Sequence, residues 1–274
     1  MFNKRFNVFM QIIPGRDTVI VAHRGASYAA PENTTPAFQL AFKEKADFIE
    51  GDFRLTKDNE IVCIHDADTK RVTGNKVKMI VRSSGLAELK KLDVGSWKGN
   101  EYKGTTIPTI QEVLQVIPAG RGIYIEIKDY REIFLKKLAG ILEQYSIPDD
   151  KIRIIAFNPW RLRTAKKYLP GIKIFRLFGC RFSKNRYSRF VTNKWLKYTL
   201  LKVKCDGIDA IAASFIDESL VKSIRDSHLN FCAYGVENIQ DAVRLINLGV
   251  DSITTDSPLR MREEILRYFS PSNS

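Results

Sequence analysis

The 274-residue chain predicts one α/β domain folded as an eight-stranded parallel barrel with one irregular edge. Three observations predict it. Strand-like apolar runs recur along almost the whole length. Helical patterns separate most of them, which favours parallel strands joined by crossovers. Several runs are continuously apolar, as strands covered on both faces must be.

The strand-like runs fall at residues 18–23, 47–52, 61–65, 122–128, 152–157, 173–178, 209–213, 230–236 and 252–255. Helical periodicity occupies 36–45, 110–116, 131–145, 159–168, 217–227 and 239–248. Pro36 suits a first helical position, with Thr35 as the cap before it. Nine runs for eight barrel places leave one extra, and 209–213 is the expected odd one. The link from Asp52 to Ile61 is too short for a helix, so the barrel is expected to be irregular there.

Two stretches interrupt the alternation. Residues 66–106 are long, poor in strands and begin at a strand end, where barrels keep functional loops. They are read as an insertion over the barrel mouth. Residues 181–204 hold eight Lys or Arg and no acid, with Phe190, Trp195, Tyr198 and Leu201 near helical spacing. That pattern fits a solvated amphipathic helix on the outside of the barrel, or one resting on an anionic membrane surface. The expected layout is an N-terminal extension over 1–17, a barrel domain over 18–262 and a tail over 263–274.

The formal charge of +13 points to an anionic partner: a phosphate ester, a membrane surface or nucleic acid. Solubility alone explains it equally well. The four cysteines, Cys63, Cys180, Cys205 and Cys232, form no CxxC pair, which argues against structural zinc. Cys63 and Cys232 lie in apolar runs and read as buried thiols in a reduced compartment. Gln11 and Pro14 interrupt the apolar run near the N-terminus, leaving no signal-peptide core, and nothing reaches the ~20 apolar residues of a membrane span. A cytoplasmic protein is expected, with a solvated 181–204 as the first reading and peripheral membrane contact through it as the alternative.

Chemistry collects at the strand ends. The first run stops at His23-Arg24. In "FIEGDF", Glu50 and Asp52 are two apart and share one side of the strand, with Gly51 on the other. Neighbouring carboxylates repel, and burial costs each several kcal/mol unless a cation sits between them. A hard divalent cation with oxygen ligands resolves this; a strand end dipping into solvent is the bland alternative. The third run ends at His65-Asp66. Two of only three histidines thus fall at strand ends, and His titrates closest to neutral pH. In "IYIEIK", Glu126 and Lys128 share a face, as an ordinary ion pair or as a third metal ligand beside a cation for an anionic substrate. This set suits phosphodiester cleavage. A metal with Arg24 and Lys128 neutralises phosphoryl oxygens, while one His takes a proton and the other gives one.

The stretches "HRGASYAAPENTTPAF", "FIEGDFRLTKDNEIVCIHD" and "IYIEIK" resemble the glycerophosphodiester phosphodiesterase family. "LAELKKLDVGSW", "TIPTIQEVL" and "VDSITTDSP" extend the resemblance over roughly 18–260. It implies an irregular TIM barrel of the phospholipase C-like phosphodiesterase type with an insertion at its mouth. It implies a divalent metal, Ca2+ or Mg2+, held by Glu50, Asp52 and Glu126. His23 and His65 match the acid–base pair, Arg24 and Lys128 the phosphate contacts, and Glu32 with Asn33 the brace of the first loop. The implied reaction releases sn-glycerol 3-phosphate and an alcohol, with a cyclic phosphate in the family's scheme.

One stretch departs. "YGVEN" stands where the family carries Trp-Thr-Val-Asn, so Tyr234 would supply the aromatic wall for the glycerol end. A lysophospholipase D working at a membrane is the nearer alternative. A non-enzymatic polyanion binder is the remote one, and nucleic acid is not expected as a partner. The PENT motif and the "LAELKKLDVGSW" stretch argue against a sphingomyelinase D-like enzyme.

Overall fold

The computed structural model describes residues 19–129, 131–179 and 193–270. Its strands are β1 (Val19–Ala22), β2 (Phe48–Leu55), β3 (Ile61–Cys63), β4 (Gly122–Ile127), β5 (Ile152–Ala156), β6 (Lys173–Phe178), β7 (Gly207–Ile211), β8 (Asn230–Tyr234) and β9 (Ser252–Thr255). The order β1-β9-β8-β7-β6-β5-β4-β2, with β1 also paired to β2, closes an eight-stranded parallel barrel. The ninth strand is β3, antiparallel to β2 with Phe53 opposite Cys63. The extra strand is therefore 61–63 and not 209–213, which is the barrel strand β7. The short link after β2 dictates this, because only a hairpin, never a parallel crossover, fits it.

Helices α1 (Thr35–Lys43), α3 (Ile110–Gln115), α4 (Glu132–Leu142), α5 (Pro159–Tyr168), α6 (Asn193–Lys202), α7 (Glu218–Arg225), α8 (Ile239–Asn247) and α9 (Pro258–Phe269) surround the strands. The short α2 (Leu86–Leu89) lies in the insertion. The cap of α1 is Thr34 and not Thr35: Thr34 has extended backbone, and its side chain accepts from the Ala37 N–H. Pro36 is then the second helical residue. Helix α9 was not anticipated. It buries Met261 and Ile265 and carries the chain on through 263–269.

Most buried side chains fill the layer between strands and helices, among them Phe38, Phe53, Phe134 and Phe231. A second cluster fills the lumen: Val21, Phe48, Tyr124, Ile155, Phe175, Leu177 and Cys232. Tyr124 meets Phe48 and Phe175 edge-on at 5.4 and 6.1 Å, a favoured arrangement for rings. Arg153, at the start of β5, sits 5.7 and 5.9 Å from the Phe48 and Phe175 rings. This apolar cluster fills the lumen below the strand ends, and its Ile155 and Leu177 reach up to floor the cavity there.

The insertion packs Val72, Val81, Leu89 and Val94 against Val62 of β3, Ile64 and Ile107 in a small core separate from the barrel's. Lys98 Nζ donates to the Ser27 carbonyl at 2.8 Å and Tyr102 Oη to the Ala29 carbonyl at 3.1 Å. Both contacts moor it to the loop after β1. Residues 181–192 of the basic segment lie outside the described residues. In α6, Leu196 and Leu200 are buried while Tyr198 and Leu201 are exposed. The face turned to the barrel is thus one residue off the expected aromatic stripe. No described helix is long and apolar enough to cross a membrane. Among the described cysteines, Cys63, Cys205 and Cys232 are buried free thiols; Cys180 lies outside them.

Candidate active site

The open end of the barrel holds a cavity of about 290 Å³ lined by His23, Arg24, Glu50, His65, Glu126 and Lys128, with Asp209, Tyr234 and Thr254 on its other wall. The parity of the strands puts them there. Side chains two apart share a face, so Glu50 and Asp52 on β2 and Glu126 and Lys128 at the end of β4 all turn inward. Asp52 and Glu126 are direct neighbours in register. Gly51 faces outward, where an added Cβ would press on Cys63, Phe53 and Phe38 at 3.1–3.3 Å.

The loop after β1 is strained and braced. Arg24 and Asn33 adopt positive φ, 54° and 56°, a conformation costing roughly 1–3 kcal/mol for such residues. Gly25 is obligatory at φ 85°, since a Cβ would fall 2.6 Å from the Ala37 carbonyl carbon. The compensation is hydrogen bonding. The Arg24 N–H donates to Glu50 Oε2 at 3.0 Å. Its guanidinium donates to Glu32 at 2.9 Å, and its Nε forms an ion pair with Asp52 at 3.1 Å without hydrogen-bond alignment. Asn33 donates to Asp52 Oδ2 at 2.8 Å and accepts the Asp52 N–H at 3.1 Å. So Glu32 holds Arg24, and Asn33 holds Asp52.

Electrostatics separate the three buried acids. Burial and the Asp52 charge push Glu50 up to about 7, and the same two causes push Glu126 up to about 8. Burial works on Asp52 too, but the Lys128 and Arg24 charges outweigh it and hold Asp52 below the usual carboxylate range. Lys128 Nζ lies 2.6 Å from Glu126 and 3.1 Å from Asp52. Arg24 and Lys128 therefore line the cavity with their charges already engaged, and a bound phosphate would share them with the carboxylates.

Each histidine is oriented by an aspartate. His23 Nδ1 donates to Asp256 Oδ1 at 2.7 Å, and Asp256 also accepts from Ser27 Oγ at 2.9 Å. His65 Nδ1 donates to Asp66 Oδ1 at 2.7 Å. These bonds leave each Nε2 as the nitrogen available for proton transfer. Burial draws His23 down, but the Asp256 hydrogen bond and the Glu50 charge overcome it, and its pKa is raised. For His65, burial wins with help from Arg24 and Lys128, and its pKa is lowered.

The sequence of this chain matches the glycerophosphoryl diester phosphodiesterase family over residues 23–260. The chain belongs to that family. It is 32% identical over 246 residues to a glycerophosphodiester phosphodiesterase of Caldanaerobacter subterraneus, covering 88% of this chain and 95% of that one. It is 31% identical over 254 residues to a glycerophosphodiester phosphodiesterase of Bacillus subtilis, covering 87% and 83%. Among solved structures it resembles an Oleispira antarctica phosphodiesterase in complex with the product sn-glycerol-3-phosphate. The TM-score is 0.77 at 30% identity, covering 90% of this chain and 96% of the other. Family membership makes the chain an enzyme, a phosphodiester hydrolase, and removes the non-enzymatic alternative.

The acidic triad also fits a divalent metal. Oxygens of Glu50, Asp52 and Glu126 lie within 4.8 Å of one another. All three donors are hard, as Ca2+ and Mg2+ prefer. The raised Glu50 and Glu126 are what two carboxyls show when a compensating charge is missing between them.

Sequence reading missed Asp256, Arg54 and Arg71, and assigned Asp66 no task. Asp256 follows β9 as His23 follows β1, so the strand-end rule would have reached it. Arg54 donates twice to the His65 carbonyl, at 2.9 and 2.7 Å, fixing the backbone there. Arg71, from the insertion, donates Nε to Asp66 at 2.7 Å and grips Glu32 with both terminal nitrogens. It thus ties the partner of His65 to the partner of Arg24. Arg71→Met is expected to lower kcat roughly tenfold or more, as loss of such an orienting shell does. Arg71→Lys is expected not to restore it, because one ammonium cannot present a fork to two carboxylates. Steady-state kinetics with a thermal-melt control checks both.

Proposed function

We propose that this protein hydrolyses glycerophosphodiesters to sn-glycerol 3-phosphate and an alcohol. Glu50, Asp52 and Glu126 hold one divalent metal ion, Ca2+ or Mg2+, and His23 and His65 move the protons. The observation that carries the reading is the cavity itself, with three buried carboxylates flanked by two histidines that each carry an aspartate. A metal bound there would supply Lewis-acid stabilisation of a phosphoryl group.

The chain's own side chains supply the rest. Arg24 and Lys128 place positive charge where phosphoryl oxygens gain negative charge. Asp256 holds the His23 pKa up and burial holds the His65 pKa down, which suits His23 to give a proton and His65 to accept one. Tyr234 offers an apolar ring to the substrate's carbon skeleton. Gly179 admits that ring, since a Cβ there would lie 2.0 Å from Tyr234 Oη. The relatives' names and the product in the Oleispira complex support the same substrate class.

The test is a substrate panel. Purified protein with divalent metal is given glycerophosphocholine, glycerophosphoethanolamine and lysophosphatidylcholine, and the released head-group alcohol, choline or ethanolamine, is measured for each. Turnover of the first two is expected to exceed that of the lysophospholipid. Preference for the lysophospholipid would replace this reading with a lysophospholipase D, and no release from any would overturn both.

A further inference from the structure

On the wall away from the triad, two buried polar atoms have no hydrogen-bond partner: Asp209 Oδ1 and Thr254 Oγ1. Asp209 is 1% exposed and Thr254 2%, and both line the cavity that His23 and Glu50 line. Asp209 is on β7, four strands from β2 in either direction around the barrel, so it faces the triad across the lumen. Thr254 is on β9, with only β8 between them. The lumen residues packed around this level, Ile155, Leu177 and Cys232, are apolar.

A carboxyl set among such neighbours opposes folding unless something else satisfies it. No ion pair in the described residues involves Asp209; the Glu50 charge repels it and the more weakly acting His23 charge attracts it. Burial first, and the Glu50 charge second, push its pKa up to about 8. A neutral carboxyl offers one O–H donor and an acceptor, and a threonine hydroxyl offers the same pair. That chemistry matches an alcohol hydroxyl. A phosphate is better served on the opposite wall, where Arg24 and Lys128 stand, and a quaternary ammonium has no N–H to give to either acceptor.

We propose that Asp209 and Thr254 form a hydroxyl-binding subsite that receives the terminal one of the substrate's two free glycerol hydroxyls while the phosphate lies toward the triad. The proposal rests on the glycerophosphodiester reading and names the part of the site that selects for glycerol. A site built to bond a hydroxyl rejects the analogue lacking it, because its own polar groups are then left unpaired.

The experiment compares kcat/KM for glycerophosphocholine with that for its analogue in which hydrogen replaces the terminal glycerol hydroxyl. The unaltered enzyme is expected to prefer the first, and Asp209→Leu to shrink that preference on the order of 10²-fold. Asp209→Leu is also expected to melt at the same temperature or higher, since it removes an unpaired buried polar group. Asp209→Asn, which keeps a donor and an acceptor, is expected to recover most of the preference, and Thr254→Val to lose a smaller part. Unchanged preference in Asp209→Leu overturns the subsite, as does equal loss on both substrates with a lowered melting temperature. An effect seen with glycerophosphocholine but not glycerophosphoinositol would assign the wall to the leaving alcohol and also overturn it. If the unaltered protein turns over neither compound, the activity reading fails first and the subsite falls with it.

Discussion

Glu50→Gln is expected to abolish phosphodiesterase turnover, by on the order of 10³-fold or more, while the barrel stays folded. Glu50 is 3% exposed on β2, and the amide is nearly isosteric, so the strand pairings to β1 and β4 have no reason to change. Its raised pKa sets the sign of the stability effect. A carboxyl whose folded pKa exceeds its ordinary 4.5 binds its proton more tightly when folded. Ionising it therefore costs stability, and the loss grows as pH rises from 4.5 toward about 7. The metal-free Gln variant is accordingly expected to melt higher than metal-free wild type at about pH 8. Added divalent metal should raise the melting temperature of wild type, as any ligand of the native state does, and should do so far less in Glu50→Gln. Retained activity, or an unchanged metal-induced shift, would remove Glu50 from the metal set.

His23→Ala and His65→Ala are each expected to cost on the order of 10² or more in kcat. Losses in the double variant should be less than the product of the single ones, because the two act in one proton circuit. The pH profile of kcat/KM follows from the opposite shifts. His65, lowered from 6.5, is neutral at neutral pH and gains its proton only in acid, so activity falls on the acid side. His23, raised from 6.5, keeps its proton until the solution is alkaline to that value, so activity falls again there. A bell is expected with its limbs on either side of 6.5. Asp256→Asn should move the alkaline limb downward, because the strongest influence raising His23 is that hydrogen bond. A limb that stays in place would show that another group sets it.

Strand-end residues were the most readable part of the chain. His23, Glu50, Asp52, His65, Glu126 and Lys128 could be placed on one rim because parity and strand ends are local properties. Partners across the barrel were not readable. Asp256 reaches His23 from 233 positions away, and Arg71 reaches Glu32 from 39, separations that no periodicity encodes. The odd strand was misplaced because 61–63 is as apolar as a barrel strand and differs only in direction. Direction follows from the length of the preceding link, a cue that apolar patterning does not carry. The α1 cap slipped by one residue because Thr34 and Thr35 are both competent caps and only backbone torsion separates them. Asp209 has no sequence signal of its own, because it sits at the centre of β7 and not at a strand end.

The central claim is that the Glu50–Asp52–Glu126 triad is a metal site on which hydrolysis depends. The most direct measurement is release of sn-glycerol 3-phosphate from glycerophosphocholine by chelator-stripped protein, before and after one of Ca2+, Mg2+ or Mn2+ is restored, with Glu50→Gln run in parallel. Loss of activity on stripping, recovery with at least one of the three ions, and no recovery in Glu50→Gln is the predicted result. Full turnover by stripped protein, or equal recovery in the variant, would contradict it.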